Sequence, residues 1–175
     1  MPETVELRGA GSDDLPFLFT LYCDVRGPEV DAWGWPQAQR NGFLRMQFEG
    51  QRRSYEAAYP QAMHHIVSLG QVQIGRILVA RTADGMHLVD IALLAAHRNQ
   101  GIGTQLIQQL IGDCAKSGCA LHLHVLRGNP AQHLYQRMGF NETAADPIYT
   151  RMTWHQQYVQ PAVEQKQTRN EIGSE

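Results

Sequence analysis

Residues 86–112, MHLVDIALLAAHRNQGIGTQLIQQLIG, constrain the fold more than any other stretch, because the hydrophobic pattern changes period inside them. Leu88 to Leu94 is apolar at almost every position and follows the hairpin dipeptide Asp84-Gly85. This predicts a strand buried on both faces, with Asp90 as a polar intruder. From Gly101 onward, Ile102, Leu106, Ile107, Leu110, Ile111 and Cys114 fall at helical spacing on one face. The unit is therefore strand, glycine-bearing turn, helix. The first N–H groups of such a helix lack intrahelical partners and carry partial positive charge. Gly101 and Gly103 have no Cβ atoms to hold a phosphate away from that backbone, so the turn is a candidate anion cradle.

Two phosphate-binding patterns do not fit. A nucleotide P-loop needs a Lys after its last glycine, and a dinucleotide fingerprint needs a third glycine where Leu106 stands. What remains is Arg98-x-x-Gly101-x-Gly103, which resembles the turn of the GCN5-related N-acetyltransferase superfamily. A second stretch, Asn129-Pro-Ala-Gln-His-Leu-Tyr-Gln-Arg-Met-Gly-Phe140, is similar to that family's Asn-x-x-Ala-x-x-Leu-Tyr-x-x-x-Gly-Phe signature, slightly displaced because Ala131 follows directly on Pro130. Physically, Asn129 suits a helix cap, Pro130 the first helical position and Gly139 the helix end. A short helix then carries Tyr135 on a fixed face.

The rest of the chain falls into the same order of elements. Val5 to Arg8 alternates like a short strand, and Ser12, Asp13 and Asp14 offer caps to a helix expected to run to about Arg26. Residues 27–36, with Gly27-Pro28, Trp33 and Trp35, read as a loop, and a second helix is expected from near Pro36 to Tyr59. Strands follow at 66–69 and 73–81, then the central strand, the cradle helix, a strand at 120–125, the Asn129 helix, and strands at about 140–144 and 148–154. The resemblance implies a mixed α/β acyltransferase fold: a mostly antiparallel sheet of about seven strands, splayed between the fourth and fifth, with about four helices. It spans about residues 4–154, giving one domain over 1–154. Residues 155–175 turn polar and lose periodicity, and are expected to be a mobile tail.

The resemblance also implies a reaction: transfer of the acetyl group of acetyl-coenzyme A to an amine. Arg98, Asn99, Gln100, Gly101, Ile102, Gly103 and Thr104 would cradle the pyrophosphate. Leu93, Leu94 and Ala95 would pair with the pantetheine through their backbone and supply an oxyanion donor. Asn129 would position the pantetheine, and Tyr135 would protonate the departing sulfur. Many members carry a glutamate fourteen residues before the first cradle glycine, where this chain has His87. A histidine suits proton removal at neutral pH. Asp90, a buried acid, is the other candidate base. On an ideal strand the two point to opposite faces, unless a bulge intervenes. A water relay is the third option.

Glu29, Asp31, Trp33 and Trp35 would suit a cationic acceptor through charge and aromatic faces, with His122 lining the cleft. His122 and His124 share one strand face, but no third ligand accompanies them at metal spacing, so no metal is expected. With a net charge of −2 and no basic run, a nucleic-acid partner is not expected. Cys23, Cys114 and Cys119 have no paired spacing and fit a cytoplasmic protein with reduced thiols. No signal peptide or membrane-spanning run is visible. A small-molecule or peptide amine acceptor and direct transfer in a ternary complex are expected. A non-catalytic acyl-coenzyme A-binding module is the alternative, and a structural dimerisation domain a third reading; homodimers are common in the family.

Overall fold

The computed structural model describes residues 4–156. The elements are β1 (Val5–Gly9), α1 (Leu15–Asp31), α2 (Gln37–Ala58), β2 (Met63–Leu69), β3 (Val72–Thr82) and β4 (Gly85–Leu93), then α3 (Ile102–Ser117), β5 (Leu121–Leu126), α4 (Ala131–Arg137), β6 (Asn141–Ala145) and β7 (Tyr149–Trp154). The seven strands form one sheet in the order β1-β2-β3-β4-β5-β7-β6, antiparallel except at β4–β5. This is the expected mixed, mostly antiparallel architecture with four helices. The tail anticipated beyond Trp154 lies, from residue 157 on, outside the described residues.

The two faces of the sheet carry separate apolar layers. Adjacent Ile66 and Val67 on β2 are both fully buried, and a strand turns neighbours to opposite sides. Val67 joins the larger cluster, in which Ile77, Val79, Leu88, Leu121 and Leu123 pack on Ile102, Leu106, Ile107 and Cys114 of α3. Ile66 joins Leu18 of α1 and Phe48 of α2. Each such side chain contributes roughly 1.5–3 kcal/mol by leaving water.

The first helix corrects the sequence reading. It does not stop at Arg26 but continues through Gly27 and Pro28 to Asp31. Pro28 lacks the N–H that would bond the turn before it, a cost that normally ends a helix. Here the last turn buries Val30, 3% exposed, and Asp31 is clamped by Arg40 of α2. The Arg40 guanidinium also lies over Gly27, its Nη2 at 2.8 Å from where a Cβ would stand. Packing between the two helices therefore holds what local propensity would break.

Candidate active site

Strands β4 and β5 pair over only three residues each, Met86–Leu88 with Leu121–Leu123, and then part. β5 stays on β7 through Leu126 while β4 stays on β3 through Leu93, so the gap opens between them. A cleft of about 500 Å³ lies there, lined by Ile91, Ala92 and Leu93 of β4, by Arg98, Asn99, Gly101, Gly103 and Thr104, by Leu134 and Tyr135 of α4, and by Val25 of α1.

The turn before α3 has the form of an anion cradle. Asn99 and Gly101 sit at positive φ, +60° and +81°, and the Gly101 carbonyl accepts the Gln105 N–H at 2.9 Å. Among the described residues no side chain caps this helix. Its first N–H groups, on Ile102, Gly103 and Thr104, are therefore open to a ligand. A Cβ built on Gly101 or Gly103 would meet nothing within 4 Å. Packing therefore does not require glycine at 103, whereas an anion brought against the backbone does. The Gln100 side chain bonds the Ala96 carbonyl at 2.8 Å and tightens the loop.

Arg98 is fixed from two sides: its Nε donates to the Leu93 carbonyl at 2.8 Å and its Nη2 to Asp24 at 2.5 Å. The same Asp24 oxygen accepts the Ala95 N–H at 2.8 Å. One carboxylate on α1 thus ties down the cradle, a role that no spacing in the sequence signals. Of the three backbone positions expected to face a pantetheine, Leu94 donates to the Ile74 carbonyl at 2.8 Å and Ala95 to Asp24. Strand alternation then turns the N–H groups of Ile91 and Leu93 toward the gap.

Tyr135 lines the cleft and packs edge-on against Phe140, ring centroids 5.8 Å apart. Burial and the nearby Asp90 charge push its phenol pKa up, so it is a protonated donor at neutral pH. Asn129 is exposed, and its Oδ1 accepts the Ala131 N–H at 2.9 Å in the turn that leads into α4, whose N-cap is Pro130 rather than Asn129.

A bulge decides the two candidate bases. Asp90 pairs with Leu78 and His87 with Ala80, while Leu88 pairs with Val79, leaving Val89 without a partner. The extra residue restores parity, so His87 and Asp90 project from the same face. Asp90 is ion-paired with Arg76, which also donates to Gln51 at 2.8 Å. His87, 9% exposed, is held at Nδ1 by the Tyr59 hydroxyl and at Nε2 by His124 Nδ1, both at 3.1 Å. Burial, with the positive potential of His124, His122 and Arg151, lowers its pKa to about 4, so it is neutral at physiological pH. His122 is bonded to Thr153 Oγ1 at 2.9 Å and to the Asp84 carbonyl at 3.0 Å.

The residues expected to greet the acceptor lie elsewhere on the α1–α2 corner. Trp33 and Trp35 stack with Phe43, centroids 5.0–5.4 Å apart. Asp31 is paired with Arg40, and Glu29 with Arg26 at 3.3 Å. The structure does not bring these four to the cleft, whose one lining residue from α1 is Val25. Tyr59 and Asp24 are contacts that sequence reasoning missed, and His124, read there only as sharing a strand face with His122, bonds His87. Among the described residues no group of three or more His, Cys, Asp or Glu is placed to hold a metal, and no helix is long and apolar enough to cross a membrane.

Solved structures with the same fold are numerous. PaiA N-acetyltransferase from Thermoplasma acidophilum, in complex with coenzyme A, aligns with a TM-score of 0.65 at 18% identity, covering 87% of this chain and 99% of that one. An acetyltransferase from Thermus thermophilus gives 0.64 at 19% identity, covering 89% and 100%. The ribosomal-protein-S18-alanine N-acetyltransferase from Escherichia coli gives 0.56 at 17% identity, covering 87% and 94%. Among curated proteins no sequence match was found. The model of the acetyltransferase (GNAT) family matches residues 29–140, which hold the bulged strand, the cradle and Tyr135, and the chain belongs to that family.

Proposed function

We propose that the chain moves an acetyl group from acetyl-coenzyme A to a primary amine by direct attack in a ternary complex. The observation that carries this reading is the single cleft in which the open edge of β4, the glycine cradle and Tyr135 meet. The N–H groups of Ile102, Gly103 and Thr104 would hold the pyrophosphate, with Arg98 adding charge. The backbone of Ile91 and Leu93 would align the pantetheine and face the developing oxyanion. Tyr135 would give its proton to the leaving sulfur. Asp90, which shares a face of β4 with His87, would hold the ammonium by charge, and His87 would take part in removing its proton. That several neighbours are named N-acetyltransferases, one of them bound to coenzyme A, supports the class of reaction.

The test is free-thiol release from acetyl-coenzyme A with a panel of spermidine, L-lysine, tyramine, an aminoglycoside and a peptide with a free α-amine, with cofactor binding measured in parallel. Release with one class of amine supports the reading and identifies the acceptor. Binding with no release for any amine favours an acyl-coenzyme A-binding module on the same fold. No binding removes the cradle argument.

A further inference from the structure

Acetyl transfer to an amine liberates a proton. An ammonium and a thioester become an amide and a thiol: the C–N bond forms, the C–S bond breaks, one proton passes to sulfur and one must reach water. The face of the sheet that carries Asp90 holds a line of groups suited to that second proton. Tyr59, immediately after α2, lines a pocket of about 240 Å³ together with Tyr55, His64 and Arg76, the partner of Asp90. Its hydroxyl lies 3.1 Å from His87 Nδ1, and His87 Nε2 lies 3.1 Å from His124 Nδ1. His87 is buried and His124 is exposed. The line therefore begins in a pocket lined by Arg76, the ion-pair partner of Asp90, and ends in solvent.

We propose that Tyr59, His87 and His124 are the path by which the acceptor's proton leaves the site, an inference that rests on the acetyl-transfer reading above. Tyr59 takes a proton from the amine, directly or through a water, and gives its own to His87 Nδ1. His87 passes its Nε2 proton to His124 Nδ1, and His124 releases its Nε2 proton to water. No buried ring carries a net charge at the end of the transfer. The surroundings require that economy: His122 and His124 from β5, Arg151 from β7, Asp84 from the β3–β4 turn and Tyr59 face His87, while Arg151, His122 and Asp146 face His124. Burial first, and then the charge of Arg151, oppose an imidazolium at either ring. A neutral imidazole bonded at both nitrogens accepts at one and donates at the other without charging. His122 lies off this line, bonded to Thr153 Oγ1 and to the Asp84 carbonyl.

The experiment compares the full chain with His124→Ala and Tyr59→Phe, using acetyl-coenzyme A and whichever amine of the panel releases thiol, in weakly buffered solution. His124 is exposed, so its truncation leaves the core intact. The expected result is a loss of kcat on the order of 100-fold in both variants, with KM for acetyl-coenzyme A within about twofold. Added imidazole restores His124→Ala and leaves Tyr59→Phe unchanged. An unaltered kcat in His124→Ala, or a loss that imidazole does not restore, overturns the relay while leaving acetyl transfer standing. Absence of thiol release by the unmodified chain overturns the acetyl-transfer reading and the relay with it.

Discussion

Tyr135 and His87 are poised in opposite senses by the same cause. Burial keeps the phenol protonated and the imidazole unprotonated at neutral pH. Tyr135→Phe keeps the ring against Phe140 and removes only the hydroxyl, so kcat should fall on the order of 100-fold while KM for acetyl-coenzyme A stays within about twofold. Equal losses in both would assign the hydroxyl to cofactor binding. His87 also makes stability depend on pH. The unfolded chain takes up this proton near its ordinary 6.5 and the folded chain only near 4. The contribution is complete above pH 6.5 and drains away as pH falls toward 4, about 3 kcal/mol in all. Thermal melts of His87→Gln should therefore show a flatter decline across that window than the unmodified chain.

Among the elements, two glycines separate ligand chemistry from packing. A methyl group on Gly103 meets open space at the first turn of α3, so Gly103→Ala should gain about 0.5–1 kcal/mol of stability from helix propensity. The same methyl group should weaken acetyl-coenzyme A binding by about tenfold or more, a loss of about 1.4 kcal/mol readable by calorimetry. Gly75 on β3 is the converse, because a Cβ there would collide with the Ala92 carbonyl and the Leu93 side chain. Gly75→Ala should cost about 1–3 kcal/mol in chemical denaturation. The strand, the cradle and α3 were legible because their signals are local: a run of apolar residues, two glycines and a helical period within one stretch. The bulge at Val89 was legible only as a possibility, since it is set by the partner strand. The extension of α1 through Pro28 was hidden because Arg40, on another helix, holds it. Asp24 was invisible for a sharper reason: its partners lie 71 and 74 residues away, beyond any pattern a window can show.

For the whole molecule, the cleft between β4 and β5 is framed by elements from both apolar layers, with α1 on one side of the sheet and α3 and α4 on the other. A ligand bound across them couples the layers. Acetyl-coenzyme A at a hundredfold excess over its Kd should add about 2.7 kcal/mol to global stability, seen as a raised Tm that Gly103→Ala diminishes. The early parting of β4 from β5 also gives this sheet an edge in its middle. Exposed edges recruit foreign strands, and proteins ordinarily place them at the margin where charge or a helix can shield them. Here the bare edge lies inside the sheet and faces the cleft. On the proposed reading, the pantetheine arm lies along Ile91 and Leu93 as a temporary strand, and their amides should exchange hydrogen quickly in the free protein and slowly with coenzyme A present. Each turnover then ends by leaving the sheet one strand short, and the chain between reactions is open to whatever extended segment reaches that gap before the next cofactor does.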